Sequence, residues 1–386
     1  MSWLDDWVAA AHPSLVQVRR QLHSRPELGR AEHATTALLV SRLTAAGLSP
    51  KVLDGGTGVV CDVGGGDPVV GLRADIDALP LDDLKDVAWR SRTAGVCHAC
   101  GHDVHTSIVL GAGLALATQA LPGTVRLVFQ PAEELMPGGA LDVVAQGHVD
   151  GLSAIFALHC DPSLDVGRIG LKPGSLTAAT DTVEVRLSGP GGHTSRPHNT
   201  VDLVHSLATV ATGLPDVLSR LVDPRAGLCL VWGHVSAGVA SNAIPREGVL
   251  RGTLRVLDKQ VWQEAPDLLP RLVEDLVRPY GAAAHVTYRR GVPPVVNDPA
   301  ATALLTEAVT TALGPGAAVP TRQSLGGEDF AWYLETVPGA MARLGVRAPG
   351  GSAYDLHQGS FDVDEMAIGL GVKVLVTAAL AALGPG

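Results

Sequence analysis

The segment Val96–Thr106, which reads VCHACGHDVHT, concentrates side chains that could bind a metal ion. His98, Cys100 and His102 alternate along it, so an extended backbone would point all three to the same side. We expect the thiol of Cys100 to lie just before a helix N-terminus, where a thiolate is favoured and metal binding follows readily. The alternative is a structural zinc knuckle built on Cys97 and Cys100. A knuckle needs a second closed pair of ligands nearby, and the sequence contains none.

Carboxylates and two further histidines offer more ligands. The segment Gln130–Glu134 (QPAEE) places Glu133 and Glu134 side by side after a predicted strand. In a closed site two such carboxylates repel each other, and one stays protonated unless a cation stands beside them. A metal ligand next to a general base resolves that problem. His159 follows another predicted strand, and His357 precedes the last predicted helix. Considered alone, two adjacent carboxylates are more often a solvated pair than a metal site. A lone histidine in such a position is more often a polar cap than a ligand.

The elements that must position these side chains alternate between strand and helix. The predicted strands are Val69–Arg73, Val125–Phe129 and Ala154–Leu158, and the predicted helices are His105–Ala120 and Leu141–Gln146. This alternation predicts an α/β domain with a mostly parallel sheet covered on both faces. In such a sheet the binding crevice lies outside the carboxyl ends of the strands. Asp75, Glu133, Glu134 and His159 fall just past predicted strand ends, while Cys100, His102 and His357 lie in loops leading into helices.

The mixture of sulfur, imidazole nitrogen and carboxylate oxygen suits zinc, with cobalt, nickel or manganese as possible substitutes. There are more candidate ligands than one tetrahedral ion needs, which indicates two metal ions about 3.5–4 Å apart. Competing signatures are missing: the sequence has no phosphate-binding P-loop, no dinucleotide fingerprint, no serine-nucleophile elbow and no His-Glu-x-x-His helix. The sequence therefore predicts a catalytic metal site.

A different pattern begins near Ser175. The predicted elements are a strand at Thr182–Leu187, a helix at Val201–Leu214, strands at Leu228–Val235 and Gly248–Val256, a helix at Ala265–Val277 and a strand at His285–Tyr288. This β-α-β-β-α-β order predicts a ferredoxin-like α+β domain. We expect it to be inserted at 176–290 into a discontinuous catalytic domain formed by 1–175 and 291–386.

Composition limits the possible partners. The chain has 386 residues, of which 46% are apolar, and Lys+Arg 29 against Asp+Glu 39 gives a formal net charge of −10. An acidic chain repels phosphate backbones, so we expect no nucleic-acid partner. The apolar stretch Met366–Leu383 is expected to be a terminal helix packed on the sheet, and not a membrane span. Five cysteines and no recognisable signal peptide favour a reducing, cytoplasmic location.

Eight motifs occur in the order typical of one enzyme family. They are RADIDALP (Arg73–Pro80), HACGHDVH (His98–His105), QPAEE (Gln130–Glu134), GPGGHTSRPH (Gly189–His198), SNAIP (Ser241–Pro245), GTLR (Gly252–Arg255), GGEDF (Gly326–Phe330) and LHQGSFDVDE (Leu356–Glu365). Through them the chain resembles the dinuclear metallo-amidohydrolase family of aminoacylases and zinc carboxypeptidases. Within that family it is similar to the branch of hippurate hydrolases, auxin-conjugate hydrolases and N-acyl-L-amino-acid amidohydrolases.

The resemblance implies a role for each matching residue. The positions that match the five metal ligands of the branch are Cys100, His102, Glu134, His159 and His357. Glu133 matches the general base. His193 matches a histidine that stabilises the oxyanion, in several members across a dimer. Asn242 and Arg255 match positions that hold the amide oxygen and the carboxylate of the substrate, although Arg255 could also be a solvated strand arginine.

Some assignments near the metal site stay open. Other branches carry a His-x-Asp pair where this chain has Arg73-Ala-Asp75, so the ligand that bridges the two ions is not determined. We expect His98, Asp103 and His105 to contact the metal ligands or to stabilise the fold, and not to bind metal themselves. Asp103 or Thr106 is also expected to cap the helix that follows.

The expected activity is metal-dependent hydrolysis of an N-acyl-L-amino acid to a carboxylic acid and a free amino acid. The cofactors implied are two divalent metal ions, zinc in the first place. A dipeptidase or carboxypeptidase using the same di-metal site is the alternative, and a protein that binds metal or ligand without turnover is less favoured. By resemblance we also expect a homodimer or higher homo-oligomer formed through the 176–290 domain.

Overall fold

A computed structural model describes residues 2–352 and 354–384. The α-helices in this part of the chain are α1 (Ser2–Ser24), α2 (His33–Ala45), α3 (His102–Leu116), α4 (Ala140–Ala145), α5 (Leu203–Leu221), α6 (Lys259–Val277), α7 (Pro299–Leu313) and α8 (Met366–Leu383). The strands are β1 (Lys51–Val52), β2 (Val59–Gly64), β3 (Val69–Asp75), β4 (Thr124–Gln130), β5 (Leu152–Asp165), β6 (Ile169–Leu171), β7 (Gly174–Ser175), β8 (Ala179–Ser188), β9 (Gly192–His193), β10 (Cys229–Ala237), β11 (Ala243–Ile244), β12 (Glu247–Val256), β13 (Ala283–Val292), β14 (Val296–Asn297), β15 (Ala318–Pro320) and β16 (Gly339–Arg347).

The chain divides into two compact units. The first contains the described residues of Met1–Gly174, Val296–Arg322 and Trp332–Gly386, and the second contains Ser175–Val295 and Gln323–Ala331. The predicted insert, 176–290, did not include the segment Gln323–Ala331. This segment joins the second unit through backbone contacts such as the hydrogen bond from Ala178 N–H to the Gly326 carbonyl, at 3.2 Å. Such a contact between segments far apart in the chain leaves no local signal in the sequence.

The first unit is built on an eight-stranded sheet in the order β1-β2-β4-β3-β5-β16-β6-β15. Its central strands β4, β3, β5 and β16 are mutually parallel, whereas β1, β2 and the β16–β6 pair add antiparallel neighbours. The α/β class is therefore confirmed, with a mixed sheet. Side chains such as Leu72, Phe129 and Phe156 are fully buried, as expected for strands covered on both faces. The carboxyl ends of β3 and β4 lie side by side, next to the middle of β5.

The apolar stretch at the end of the chain forms helix α8, which packs against α1, α3 and α7. It is the one helix among the described residues that is long and apolar enough to cross a membrane, with a mean hydropathy of 2.1. Of that span, 67% is buried within the protein. Burial of this extent is typical of a core helix and agrees with the expected helix on the sheet.

The second unit contains the antiparallel sheet β10-β12-β8-β13 with α5 and α6 packed on it, in the predicted β-α-β-β-α-β order. Both helices are longer than predicted. The first was predicted to end at Leu214, but α5 runs through Pro215 to Leu221. The second was predicted to begin at Ala265, but α6 begins at Lys259 and contains two prolines. Buried side chains beyond the prolines, such as Leu218 in α5, keep these helices attached to the sheet.

Candidate metal centre

Cys100 and His102 lie where the chain turns into α3. Between them Gly101 has φ +89° and serves as the N-cap residue, and no side chain caps the helix there. A Cβ at Gly101 would lie 2.6 Å from the Cys160 sulfur, so only glycine fits this turn. The expectation that Asp103 or Thr106 caps α3 is therefore wrong, because the helix already begins at His102.

The five predicted ligands converge near the carboxyl ends of β3 and β4, although His159 lies inside β5 and not past its end as predicted, because that strand continues to Asp165. The sulfur of Cys100 is 3.5 Å from Nε2 of His159. Oε1 of Glu134 lies 3.3 Å from Nε2 of His357 and 3.8 Å from Nε2 of His102. Two groups of three have all their ligand atoms within 4.8 Å of one another: Cys100 with His102 and His159, and Cys100 with Glu134 and His357. The structure thus brings all five side chains together, and Cys100 is common to both groups.

The free atoms of this cluster fit a metal ion. Nε2 of His102 and Oε1 of Glu134 are buried and have no hydrogen-bond partner within 2–352 and 354–384. Unpaired buried polar atoms are costly, and a bound cation explains them. The other ring nitrogen of each histidine is already used: Nδ1 of His102 donates to the Asp77 carbonyl at 3.0 Å, and Nδ1 of His159 donates to the Cys160 carbonyl at 2.8 Å. Both Nε2 lone pairs therefore remain available for a metal.

Burial and neighbouring charges shift the pKa values of the histidines in the cluster in opposite directions. Burial, together with Arg343, lowers the pKa of His159 well below its usual value, so its imidazole is neutral as a metal ligand requires. Cys100 and Glu134 raise the pKa of His357 to about 10, because their negative charges favour its protonated ring. His357 has φ +61°, and its backbone N–H donates to the Ala99 carbonyl at 2.8 Å. Left-handed backbone at a non-glycine residue is strained and is common at functional sites.

Asp77 is a residue that the sequence analysis missed. It is 1% exposed, and its Oδ2 accepts a hydrogen bond from the Glu134 backbone N–H at 3.0 Å. Its Oδ1 lies 3.3 Å from Nδ1 of His102. Asp77 therefore contacts two predicted ligands without being one of the five. The alternation of Asp75 and Asp77 along an extended segment was the signal that could have identified it.

Asp75 and His105 connect the end of β3 to the chain beside His159. Nδ1 of His105 donates to Asp75 at 2.6 Å, and Nε2 of the same ring accepts from the Cys160 backbone N–H at 2.8 Å. Arg73 donates to the other Asp75 oxygen at 2.7 Å. Burial raises the pKa of Asp75, but the positive charges around it outweigh burial and hold that pKa well below its usual value. His105 thus supports the backbone next to a predicted ligand.

Asp103 belongs to a buried charge network behind α3. Its Oδ2 accepts hydrogen bonds from Arg19 at 2.8 Å and from Nδ1 of His23 at 2.7 Å. Nε2 of His23 reaches Asp83 at 3.1 Å, and Lys85 pairs with Asp83 at 2.9 Å. None of these partners was assigned from the sequence, because they lie on different elements.

His98 is the third alternating residue of the first motif. Its ring is buried beside that of His23, with centroids 6.3 Å apart, and neither ring nitrogen has a hydrogen-bond partner among the described residues. Burial lowers the pKa of His98 to about 4, so the ring is neutral. Extended alternation alone therefore did not distinguish His98 from Cys100 and His102.

His193 and Asn242 lie together in the second unit. Strands β9 and β11 pair, with His193 opposite Ala243, and the Thr194 backbone N–H donates to the Asn242 carbonyl at 3.3 Å. Nδ1 of His193 accepts from the Ser195 backbone N–H at 3.1 Å. Since that backbone group can only donate, the neutral His193 ring carries its proton on Nε2, which is then a hydrogen-bond donor.

Arg255 lies on β12 in the second unit. Its Nη1 donates to Oγ1 of Thr180 at 3.1 Å and to the Leu325 carbonyl. The side chain is half-buried, and these two contacts use one of its terminal nitrogens. Because a guanidinium has five N–H donors, Arg255 keeps donors for a carboxylate.

Comparison with known proteins identifies close relatives along most of the chain. Residues 71–381 match the profile of peptidase family M20/M25/M40. A putative glutamate–cysteine ligase of Rhodococcus jostii is 47% identical over 97% of this chain, but the chain spans only 47% of that protein's length. An N-acetyl-L-cysteine deacetylase of Bacillus subtilis is 37% identical over 92% of this chain and 84% of its own. A thermostable carboxypeptidase of Saccharolobus solfataricus is 33% identical over 95% and 93% of the two chains.

The solved structures agree with these matches. A dinuclear metal-binding peptidase of the M20 family from Bacillus subtilis superposes with a TM-score of 0.87 at 33% identity. The comparison covers 97% of this chain and 99% of that structure. The resemblance recognised from the motifs is therefore confirmed at the level of the family.

Proposed function

The chain belongs to peptidase family M20/M25/M40, and from that membership we propose that it cleaves N-acyl-L-amino acids into a carboxylic acid and a free amino acid. That it is a hydrolase acting on amides follows from the family and from its deacetylase relatives. The observation that carries the finer proposal is the position of Glu133. Glu133 is 7% exposed, and its carboxylate lies beside the cluster, with Oε2 3.9 Å from Nε2 of His102.

The residues that would hold two divalent metal ions, zinc in the first place, are Cys100, His102, Glu134, His159 and His357. When bound, such ions polarise the scissile carbonyl and lower the pKa of water from about 15.7 to about 7. The proposal is supported by the free Nε2 of His102 and Oε1 of Glu134, which both face the cluster.

Glu133 is the proposed general base. It takes a proton from the attacking water as the new C–O bond forms, and it delivers that proton to the amide nitrogen as the C–N bond breaks. General acid–base catalysis of this kind contributes about 10²–10⁴ in rate. The leaving group is then a neutral amine of the free amino acid.

His193, Asn242 and Arg255 are proposed to bind the substrate. The proton on Nε2 of His193, fixed by the Ser195 backbone N–H, makes that atom a donor to the developing oxyanion. A donor to an oxyanion is worth about 3–4 kcal/mol. Asn242 would hold the amide oxygen, and the fork of Arg255 suits a substrate carboxylate. His193 acts in its own or in a partner subunit under this proposal.

A substrate panel tests the reaction class. Release of free amino acid is measured from N-acetyl, N-benzoyl, N-lauroyl and indole-acetyl amino acids, each with zinc, cobalt or manganese. Chelated enzyme and the Glu133→Gln variant are run beside them. Metal-dependent release that is lost in both controls supports the proposal, while a fully metallated protein that is silent on every acyl amino acid contradicts it.

A dipeptidase or carboxypeptidase activity is the second candidate, and it is favoured by the carboxypeptidase relative. The two candidates differ in whether the amino group next to the scissile bond is acylated or free. Dipeptides with free N-termini are therefore added to the same panel. Faster cleavage of these dipeptides than of every N-acyl amino acid would replace the first candidate by the second.

A homodimer formed through the second unit and a cytoplasmic location also stay proposals. The location is supported by the five cysteines, all of which are free thiols, four of them buried. Free thiols persist in a reducing compartment. Sedimentation of the metal-loaded chain over a range of concentrations tests the dimer.

A further inference from the structure

A buried carboxylate on α2 contacts the backbone just before the proposed general base. Glu32, the N-cap residue of α2, has no exposed surface. Its Oε1 accepts a hydrogen bond from the Ala132 backbone N–H at 2.8 Å, across 100 residues of sequence. Ala132 directly precedes Glu133, so this contact ties α2 to the catalytic segment.

Ala132 needs such a contact because its backbone is strained. Its φ is +54°, in the left-handed region, and its side chain is fully buried. An L-residue with a Cβ disfavours this region by roughly 5- to 30-fold in population, whereas glycine adopts it freely. The Ala132 carbonyl also accepts from the Gly139 N–H at 3.0 Å. The peptide groups on both sides of Ala132 are thus held by partners outside the turn.

The backbone N–H of Glu134, two residues after Ala132, is held by a different carboxylate. Glu134 N–H donates to Asp77, as described above, at 3.0 Å. Glu133 therefore lies between two peptide groups that are fixed by two different buried carboxylates. Loss of the Glu32 contact frees the Ala132 side of Glu133 while Asp77 still holds Glu134.

We propose that Glu32 is a positioning residue for Glu133: by binding the Ala132 N–H it keeps Ala132 left-handed, and this conformation directs the Glu133 carboxylate toward the substrate. The proposal rests on the proposed role of Glu133 as general base. It requires an oxygen acceptor at position 32 and does not require a negative charge there.

Two substitutions of similar size separate these requirements. Glu32→Gln keeps an oxygen that accepts from Ala132, whereas Glu32→Met keeps the length and apolar contacts but removes the acceptor. Glu32→Met is expected to lower kcat roughly 10- to 100-fold, because small misplacement of a catalytic group has effects of this size. KM and bound metal should change little, since Asp77 still holds Glu134. Glu32→Gln is expected to stay within about threefold of the original kcat, as its acceptor remains.

Rescue through Ala132 distinguishes positioning from general destabilisation. In Glu32→Met the further change Ala132→Gly removes the penalty of the left-handed backbone, so kcat should recover by about fivefold or more. The melting temperature need not recover. Equal kcat in Glu32→Met with and without Ala132→Gly would overturn the proposal.

Glu27, which lies before α2 and contacts its first turn, supplies a matched control. Its carboxylate accepts from the Ala34 and Thr35 N–H groups at 2.9 and 2.8 Å, so it caps α2 without touching Ala132. Glu27→Gln weakens this cap and should leave kcat nearly unchanged. A loss of kcat in Glu27→Gln as large as in Glu32→Met would show that any loosening of α2 is sufficient, and the proposal would be wrong.

A readout without substrate separates this proposal from the proposed function. In the metal-loaded full-length protein, hydrogen exchange at the Ala132 amide should be at least about tenfold faster in Glu32→Met, because a hydrogen bond to a carboxylate is lost. Glu32→Gln and Glu27→Gln should keep it slow. Unchanged exchange in Glu32→Met contradicts the positioning, whereas a silent substrate panel with this exchange pattern contradicts only the proposed reaction.

Discussion

The carboxylate of Asp77 accepts the backbone N–H of Glu134 at 3.0 Å, so a residue just after β3 fixes a proposed ligand just after β4. The Asp77 carbonyl meanwhile accepts from Nδ1 of His102 at 3.0 Å. One residue therefore orients a carboxylate ligand through its backbone and an imidazole ligand through its ring. Parallel neighbouring strands make this possible, because their carboxyl ends meet at one edge.

Asp77→Ala is expected to weaken metal binding by about 10- to 100-fold, the usual effect of removing a group that orients a ligand. Metal affinity is measured by competition with a chromogenic chelator. Asp77→Asn keeps an oxygen that can accept from Glu134 and should have the smaller effect. Equal affinities in Asp77→Ala and the unmodified protein would show that the ligands are oriented without this side chain.

Glu133 and Glu134 should respond differently to the same substitution. Glu133→Gln is expected to abolish turnover while metal content stays unchanged, because Glu133 is proposed to move protons. Glu134→Gln is expected to lower metal content, because Oε1 of Glu134 faces both His102 and His357. Metal analysis beside the kinetics separates the two. If Glu133→Gln loses metal instead, Glu133 is the metal ligand and Glu134 is the general base.

Metal removal should destabilise the protein. Nε2 of His102 and Oε1 of Glu134 are buried without a hydrogen-bond partner among the described residues, so a metal ion that binds them in the folded state shifts the unfolding equilibrium. At a free metal concentration 100 times Kd this stabilisation is about 2.7 kcal/mol. Thermal unfolding of chelated protein, before and after adding zinc, measures it. Cys100→Ser should reduce the zinc-dependent rise, and a rise of full size in that variant would remove Cys100 from the ligand set.

His193→Ala is expected to lower kcat by about 10²–10³, the effect of losing one oxyanion donor. His205 is the matched control, since it is an exposed histidine of the same unit that packs edge-to-face against Tyr280. His205→Ala should leave kcat unchanged. Steady-state kinetics on the best N-acyl amino acid compares the two variants, and similar kcat values in both would exclude His193 from the reaction.

His23 should make stability depend on alkaline pH. Burial alone would lower the pKa of His23, but the carboxylates of Asp103 and Asp83 outweigh burial and raise that pKa to about 10. The folded pKa is thus above the unfolded value of about 6.5. The contribution of His23 to the free energy of unfolding is therefore complete below about pH 6.5 and is lost as pH rises through about 10.

Urea unfolding at several pH values between neutrality and pH 10 measures this dependence. His23→Gln should be less stable at neutral pH, because it removes the cation that both buried carboxylates share and leaves Asp103 with Arg19 and Asp83 with Lys85. Its free energy of unfolding should also fall less steeply with rising pH than that of the original protein. Parallel slopes in the two proteins would mean that His23 is not charged in the folded state.

The sequence by itself determined the ligand types, their order and the elements that carry them. Alternating strands and helices predicted the α/β sheet, and the segments around Cys100 and Glu134 were placed correctly at a helix start and after a strand end. His159 was expected just past a strand, but β5 continues to Asp165 and contains it. These features are local: hydrophobic periodicity and motif spacing are written in consecutive residues. The β-α-β-β-α-β order of the second unit was predicted for the same reason.

Only the tertiary structure decided which buried groups support the site. Glu32 reaches Ala132 across 100 residues, and Asp103 turns away from its own helix to pair with Arg19 and His23. The left-handed backbone of Ala132 is likewise unpredictable from a residue that prefers ordinary helix. Such contacts form because burial makes every unpaired polar group costly. Which partner satisfies a given group depends on which distant segments the fold brings together.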